Sequence, residues 1–393
     1  MRSVEASTHP ETSLECATWL LFAIGIVLLP LQIWPPMALP GMQLADLFFA
    51  IAAMLFFVTY RLKGPILPAI AILVFLVGTA ISATRGGSAI KLLGHLELGV
   101  LCWIALCASA RHAFLFRRAL VIAGAIAAAT AMLGMLIFLL GWGVYDADGV
   151  PNHPLLYLHG ALVAGDYPRL RGTLVTGAML TAVVGTGFAL LALEKELVPQ
   201  RWLRQLIYVI SIIAMFFAFS RAIASFAVVL TGFLLWQNRA ARPVWIGWAL
   251  MALVYTALLL ISLRYEVLLE PTRLWETVIT SEDGDRFGRW RFAVAAIAEH
   301  PFIGAGPGVL IADGWSAHNT WLNIWSILGL APLIAFVALM SGAVWKAVRL
   351  PSLGLSCVLA FALISSLYND VEDMRHLWIV MGLAIGLGAA RQS

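Results

Sequence analysis

Apolar stretches of about twenty residues recur along this chain, each as long as a helix must be to cross the hydrocarbon core of a bilayer. They fall near residues 17–33, 44–60, 65–82, 90–110, 118–142, 172–193, 204–219, 222–236, 243–263, 319–345, 352–367 and 376–390. Inside hydrocarbon every backbone NH and CO must find its partner within the protein, so runs of this kind fold as helices. About twelve of them imply an all-α polytopic membrane protein, with residues 1–393 forming a single integral membrane domain. Composition agrees, since 62% of the residues are hydrophobic and 12% charged, where a soluble domain has about a quarter charged. No small-residue cleavage site follows the first run, so it reads as an uncleaved helix with both termini on one side.

Orientation follows from the short connections, because Lys and Arg accumulate on the cytoplasmic side. Arg61 and Lys63, Arg111, Arg117 and Arg118, Lys195, Arg201 and Arg204, Arg239 and Arg242, and Lys346 and Arg349 fall on alternate connections, together with Arg2 and Arg391. That side reads as cytoplasmic. The remaining basic residues include Arg85, Lys91, Arg169, Arg171, Arg221, Arg273, Arg286, Arg289, Arg291 and Arg375. Nearly all are arginine, the side chain whose planar fork matches phosphate and carboxylate oxygens. The net charge of +4 is what positive-inside topology produces and does not point to nucleic acid. Cys16, Cys102, Cys107 and Cys357 sit in or beside apolar segments without metal-ligand spacing and read as packing residues. No Walker A motif or dinucleotide fingerprint occurs.

Arg221 stands between two almost wholly apolar runs, LIYVISIIAMFFAFS and AIASFAVVLTGFLLW. A guanidinium at a membrane boundary is costly unless it faces protein, water or an anion. Two outer connections are long. The first, 143–171, carries Gly, Pro and Asp clusters that mark turns rather than a folded domain. The second, 264–318, is the largest water-facing segment and the expected place of a site.

Within it, GDRFGRWRFAVAAIAEHP has helical periodicity. At 100° per residue Phe287, Trp290, Val294, Ile297 and Ala298 share a stripe flanked by Arg286 and Arg291, with Arg289 further round. Asp283 and Asp285 suit the positive end of such a helix. Its arginines either touch lipid headgroups, as an interfacial anchor, or face an anionic substrate. Next, Gly304, Gly306 and Gly308 alternate in PFIGAGPGVL. Without a preceding strand and a following Lys this reads as a tight turn before it reads as a phosphate loop. His318 and Asn319 then open the tenth apolar run. His318 reads as a general base, or the pair as a helix cap. Asp46, Lys91, His95 and Glu97 lie in or near expected spans as a polar cluster, and Asp370, Glu372, Asp373, Arg375 and His376 crowd the last outer loop as a solvated charge cluster or a lid.

In this order the second half resembles the O-antigen ligase and polymerase superfamily of bacterial inner-membrane glycosyltransferases. The matching elements are Ser220-Arg221 between two helices, Arg286 with Trp290, Pro301 with Gly304, Gly306 and Gly308, and His318-Asn319 leading to Gly329, over about 110 residues. The resemblance implies a metal-independent, cofactor-free transferase. Its donor is a glycan on undecaprenyl diphosphate at the periplasmic face of the inner membrane. Its acceptor is lipid A-core oligosaccharide for a ligase, or another lipid-linked repeat unit for a polymerase. By motif, Arg221 and Arg286 bind the diphosphate, with Arg289 and Arg291 as competing candidates. His318 activates the acceptor hydroxyl, with Asn319, Asp313 and Asp285 as accessory or alternative groups. Two rival readings belong to other classes: a transporter or flippase of lipid-linked sugars, with Glu97 or Asp46 coupling to protons, and a noncatalytic assembly subunit.

Overall fold

The computed structural model describes residues 12–31, 43–59, 65–139, 161–164, 167–170, 173–174, 177–218, 220, 222–236, 281–309, 316–350 and 352–390. The expected span at 243–263 lies outside these residues, as do Arg221 and Asp313. Thirteen α-helices are described: α1 (Ser13–Leu28), α2 (Leu44–Thr59), α3 (Ile66–Ala83), α4 (Ala89–Leu106), α5 (Ala110–Leu139), α6 (Gly177–Leu193), α7 (Arg201–Phe217), α8 (Ala222–Trp236), α9 (Ser281–Glu299), α10 (Thr320–Leu328), α11 (Leu330–Val348), α12 (Leu353–Ser365) and α13 (Arg375–Ala390). One short antiparallel hairpin, β1 (Ala161–Ala164) with β2 (Tyr167–Leu170), falls in the connection read from sequence as turns rather than a folded domain.

Four segments are long and apolar enough to cross a membrane: α3, α4, residues Arg111–Gly134 of α5, and α11. Several other helices are apolar but shorter. Large apolar side chains also cover the outside, with Val58 78% exposed, Leu67 76% and Met54 70%. A water-soluble domain hides such residues, whereas lipid solvates them.

Local chemistry sets several ends. Thr12 and Glu15 form a reciprocal capping box, the Thr12 hydroxyl accepting from Glu15 N (3.3 Å) and the Glu15 carboxylate from Thr12 N (2.8 Å). The box starts α1 at Ser13, ahead of the apolar run itself. The run at 319–345 is two helices rather than one. Gly329 breaks it at φ +92°, a conformation that favours glycine, and a methyl group there would overlap the Phe302 carbonyl oxygen.

Packing relies on close backbone approach. Gly382 and Gly386, four residues apart on α13, rest on the last turn of α4, where a methyl group at either would overlap the carbonyl oxygen of Cys102 or Leu106. This is small-residue packing of the kind that joins helices in lipid, where burial of apolar surface contributes little. Around this contact lie the buried rings of Phe75, Phe336 and Trp378, with Phe75 and Trp378 centroids 4.8 Å apart and Phe336 and Trp378 5.6 Å apart.

Candidate active site

The first turn of α10 and the loop between α12 and α13 are stitched together. Asn319 caps α10, its side-chain oxygen accepting from Trp321 N and Leu322 N at 3.1 Å each, while its amide nitrogen donates to Leu367 O at 3.0 Å. Thr320 N donates to Ser366 O (3.0 Å), and its hydroxyl donates to Asn369 O and accepts from Val371 N, both at 2.8 Å. The cap role open for the His318-Asn319 pair thus falls to Asn319. That leaves the His318 ring available for other work.

His318 is the one non-glycine residue with positive φ (+48°) among those described. A left-handed conformation costs such a residue about 1–3 kcal/mol and persists where surrounding bonds impose it. Its Nδ1 lies 3.1 Å from Asp370 Oδ2, and Ser316 donates its hydroxyl to the same oxygen. A carboxylate only accepts, so Nδ1 carries the proton and Nε2 presents its lone pair. This is the arrangement of an oriented base. A third of the His318 side chain is exposed, against 18% for Asp370, so the ring is reachable while its partner is sheltered.

The same loop gathers the scattered polar residues of the first half. Asp373 accepts from Lys91 Nζ (3.2 Å) and stands 3.6 Å from His95 Nε2, while His95 Nδ1 donates to Lys91 O (2.7 Å). Arg375 Nη2 is 3.0 Å from both Asp46 Oδ1 and Glu97 Oε2, and its Nε adds a 3.1 Å bond to Glu97. Glu372 is 1% exposed. Asn323 donates to its Oε1, and Trp378 Nε1 donates to its backbone oxygen at 2.7 Å. Burial first, then the Asp370 and Asp373 carboxylates, push the Glu372 carboxyl well above the ordinary value, against the Asn323 donor. For Asp373 desolvation acts upward, but Lys91, His95 and Arg375 together hold it below its ordinary value. Its side chain is 45% exposed, so that attraction is screened.

With Asp373 exposed but Glu372 buried, the loop between α12 and α13 is therefore more than a solvated cluster. It is an inward-turned hub, with Val371 and Met374 buried beside its acids. Asp370, the partner of His318, is the residue that sequence reasoning missed. No pattern of letters marked it, because the acid Glu372 is buried together with Val371 and Met374.

The glycine segment is a structural turn. Gly304, Gly306 and Gly308 all have positive φ, and the backbone amides there are already engaged: Gly304 N to His300 O (3.0 Å), Ala305 N to Ser326 O (2.9 Å) and Gly306 N to Ile327 O (2.8 Å). The last two bonds satisfy carbonyls at the end of α10, the first one just beyond α9, and all three leave those amides unavailable to a phosphate. The turn also interlocks with the α3–α4 connection, where Ser88 N donates to Pro307 O at 2.9 Å.

On α9 the stripe is rotated from the expected one. Ala293 and Ile297 are buried and Trp290 half-buried, whereas Val294 (54%) and Phe292 (51%) are exposed. Contact with α10 selects this face. Arg291 lies on the exposed side and Arg289 is half-buried; the side chains of Asp285 and Arg286 lie outside the described residues. So does Arg221, although its neighbours are placed. Ser220 Oγ accepts from Ala222 N at 3.3 Å, and Ser225, one turn into α8, bonds Tyr368, two residues before Asp370. The first turn of α8 is thereby tied to the hub that carries the His318 partner. Comparison with protein-family models and with curated proteins gives no match for this chain.

Proposed function

We propose that this chain is a polytopic inner-membrane glycosyltransferase of about twelve spans. It moves a glycan from undecaprenyl diphosphate to an acceptor at the periplasmic face, with both termini cytoplasmic. The observation that carries the reading is the His318–Asp370 pair, a reachable imidazole whose proton-bearing nitrogen is fixed by a sheltered carboxylate. An acceptor sugar hydroxyl attacks the anomeric carbon and gives its proton to His318 Nε2. The bond from that carbon to the diphosphate oxygen breaks, and undecaprenyl diphosphate leaves with the electron pair. Arginines stabilise the growing negative charge more in the transition state than before it. Arg221 and Arg286 hold that role by motif, with Arg289 and Arg291 as the nearest substitutes. The single large connection before His318 favours a ligase, with lipid A-core as acceptor, and a polymerase joining repeat units is the alternative.

Purified protein with lipid-linked glycan and acceptor is expected to form a new glycosidic bond, and His318→Ala to lose it while expressing and folding normally. Undiminished transfer by that variant removes His318 as the base. Surface glycans of a deletion strain separate the two acceptors: loss of a ligase strands long chains on the carrier, whereas loss of a polymerase leaves the core with at most one repeat. One observation favours a second reading. Asp46, Glu97 and Arg375 form a sheltered ion cluster of the sort that proton-coupled carriers use. Proteoliposomes that translocate lipid-linked sugar without forming a glycosidic bond would replace the transferase with a carrier.

A further inference from the structure

Glu372 is the one acid of the hub that none of the preceding chemistry uses. Its side chain is buried to 1% exposure, with one oxygen accepting from Asn323 and the other, Oε2, enclosed without a partner among the described residues. Every charged group around it is engaged elsewhere. Asp370 holds His318, Asp373 holds Lys91 and faces His95 on α4, and Arg375 on α13 is taken by Asp46 of α2 and Glu97 of α4. His376, buried on α13, makes no ion pair with it among the described residues. An ionised carboxylate here would be buried without a cation and would be the third acid in four positions, a placement that both desolvation and like-charge repulsion oppose. A neutral carboxyl removes that charge and keeps the acceptor oxygen.

The bond to Asn323 leads back to the base. With its amide nitrogen on Glu372, the Asn323 oxygen faces Ala317 N, 3.5 Å away, on the residue next to the strained His318. We infer that Glu372 is a neutral carboxylic acid and acts as a positioning residue, fixing through Asn323 the backbone that presents His318 and, through its own loop, the Asp370 that orients it. The elevated carboxyl agrees with this, and its sign sets the pH dependence. A carboxyl raised above its unfolded value contributes stability that is complete at low pH and is lost as pH rises through the folded value. Ionisation as pH rises through that folded value therefore loosens the hub.

The consequence for transfer rests on the glycosyltransferase reading; the protonation state does not. The test pairs two measurements on the full-length protein in detergent. Infrared spectra of wild type near neutral pH are expected to contain a protonated-carboxyl C=O band, sensitive to deuterium, that Glu372→Gln removes. In transfer assays Glu372→Gln, the uncharged isostere, is expected to stay active near neutral pH and to move the alkaline limb of the pH–rate profile up by at least about one unit. Absence of the band, or an unmoved alkaline limb, overturns the proposal. If wild type forms no glycosidic bond at all, the transferase reading falls while the infrared result still decides the state of Glu372.

Discussion

At the scale of single residues, His318 depends on groups far from it in sequence. Asp370 fixes its tautomer and Ser316 shares the same carboxylate oxygen, so removing the negative charge acts on the ring without touching substrate. Asp370→Asn offers an amide that can present either end to Nδ1 and allows the wrong tautomer. Transfer is expected to fall by about 10²–10⁴-fold, the usual worth of an oriented general base. The loss should appear in kcat with little change in KM for the donor, and a comparable KM rise would mean that Asp370 binds substrate instead. His318 was legible from sequence as a titratable residue at a helix start. Asp370 was not, because the letters of YNDVEDMRH read equally well as solvated surface, and only the burial of Val371, Glu372 and Met374 turns that loop inward.

At the scale of elements, hydropathy located α2, α3 and α8 nearly to the residue, because a run of apolar letters ended by a turn or a charge leaves few choices. It misjudged the run at 319–345, since Gly329 is apolar enough to vanish in a hydropathy scan while its backbone breaks the helix. The face of α9 was misplaced for a related reason. Periodicity gives a stripe about 100° wide, and which edge is buried depends on the partner helix, which sequence does not supply. The glycine turn after α9 is where a small change should tell most. Gly306 sits at φ +119°, and an added methyl group would overlap the Gly86 carbonyl oxygen. Gly306→Ala is expected to cost about 1–3 kcal/mol from backbone strain alone, read as a lower thermal midpoint in detergent. An unchanged midpoint would show that the two turns separate easily.

Across the whole molecule a second buried ionic site lies far from the hub in sequence and fastens other helices. Arg117 on α5 bonds Glu194, just beyond α6, and Ser352, the cap of α12, donates to the same carboxylate. Burial raises the Glu194 carboxyl above its ordinary value, opposed by Arg117 and Ser352. The pair is well sheltered, with 15% and 5% of the two side chains exposed. Arg117→Ala leaves a buried acid without its cation and is expected to destabilise the protein by about 3–5 kcal/mol. Residual folded protein should keep its transfer rate, because no substrate-facing group is altered; a selective loss of rate would mean that the two sites are coupled. Sequence reasoning counted Arg117 only as a topology signal, for nothing in the spacing links it to Glu194, 77 residues away.

The stitch between α10 and the last loop also bears on how this protein can change over time. Thr320 and Asn369 are 49 residues apart yet share a hydrogen bond in one small patch that also holds Asn319, Val371 and the His318–Asp370 pair. A substitution on one strip removes a donor or acceptor that the other strip has no spare group to replace. In inheritance the two strips thus form one unit: grafting residues 316–323 from a related chain should fail alone and succeed only with the matching 366–373.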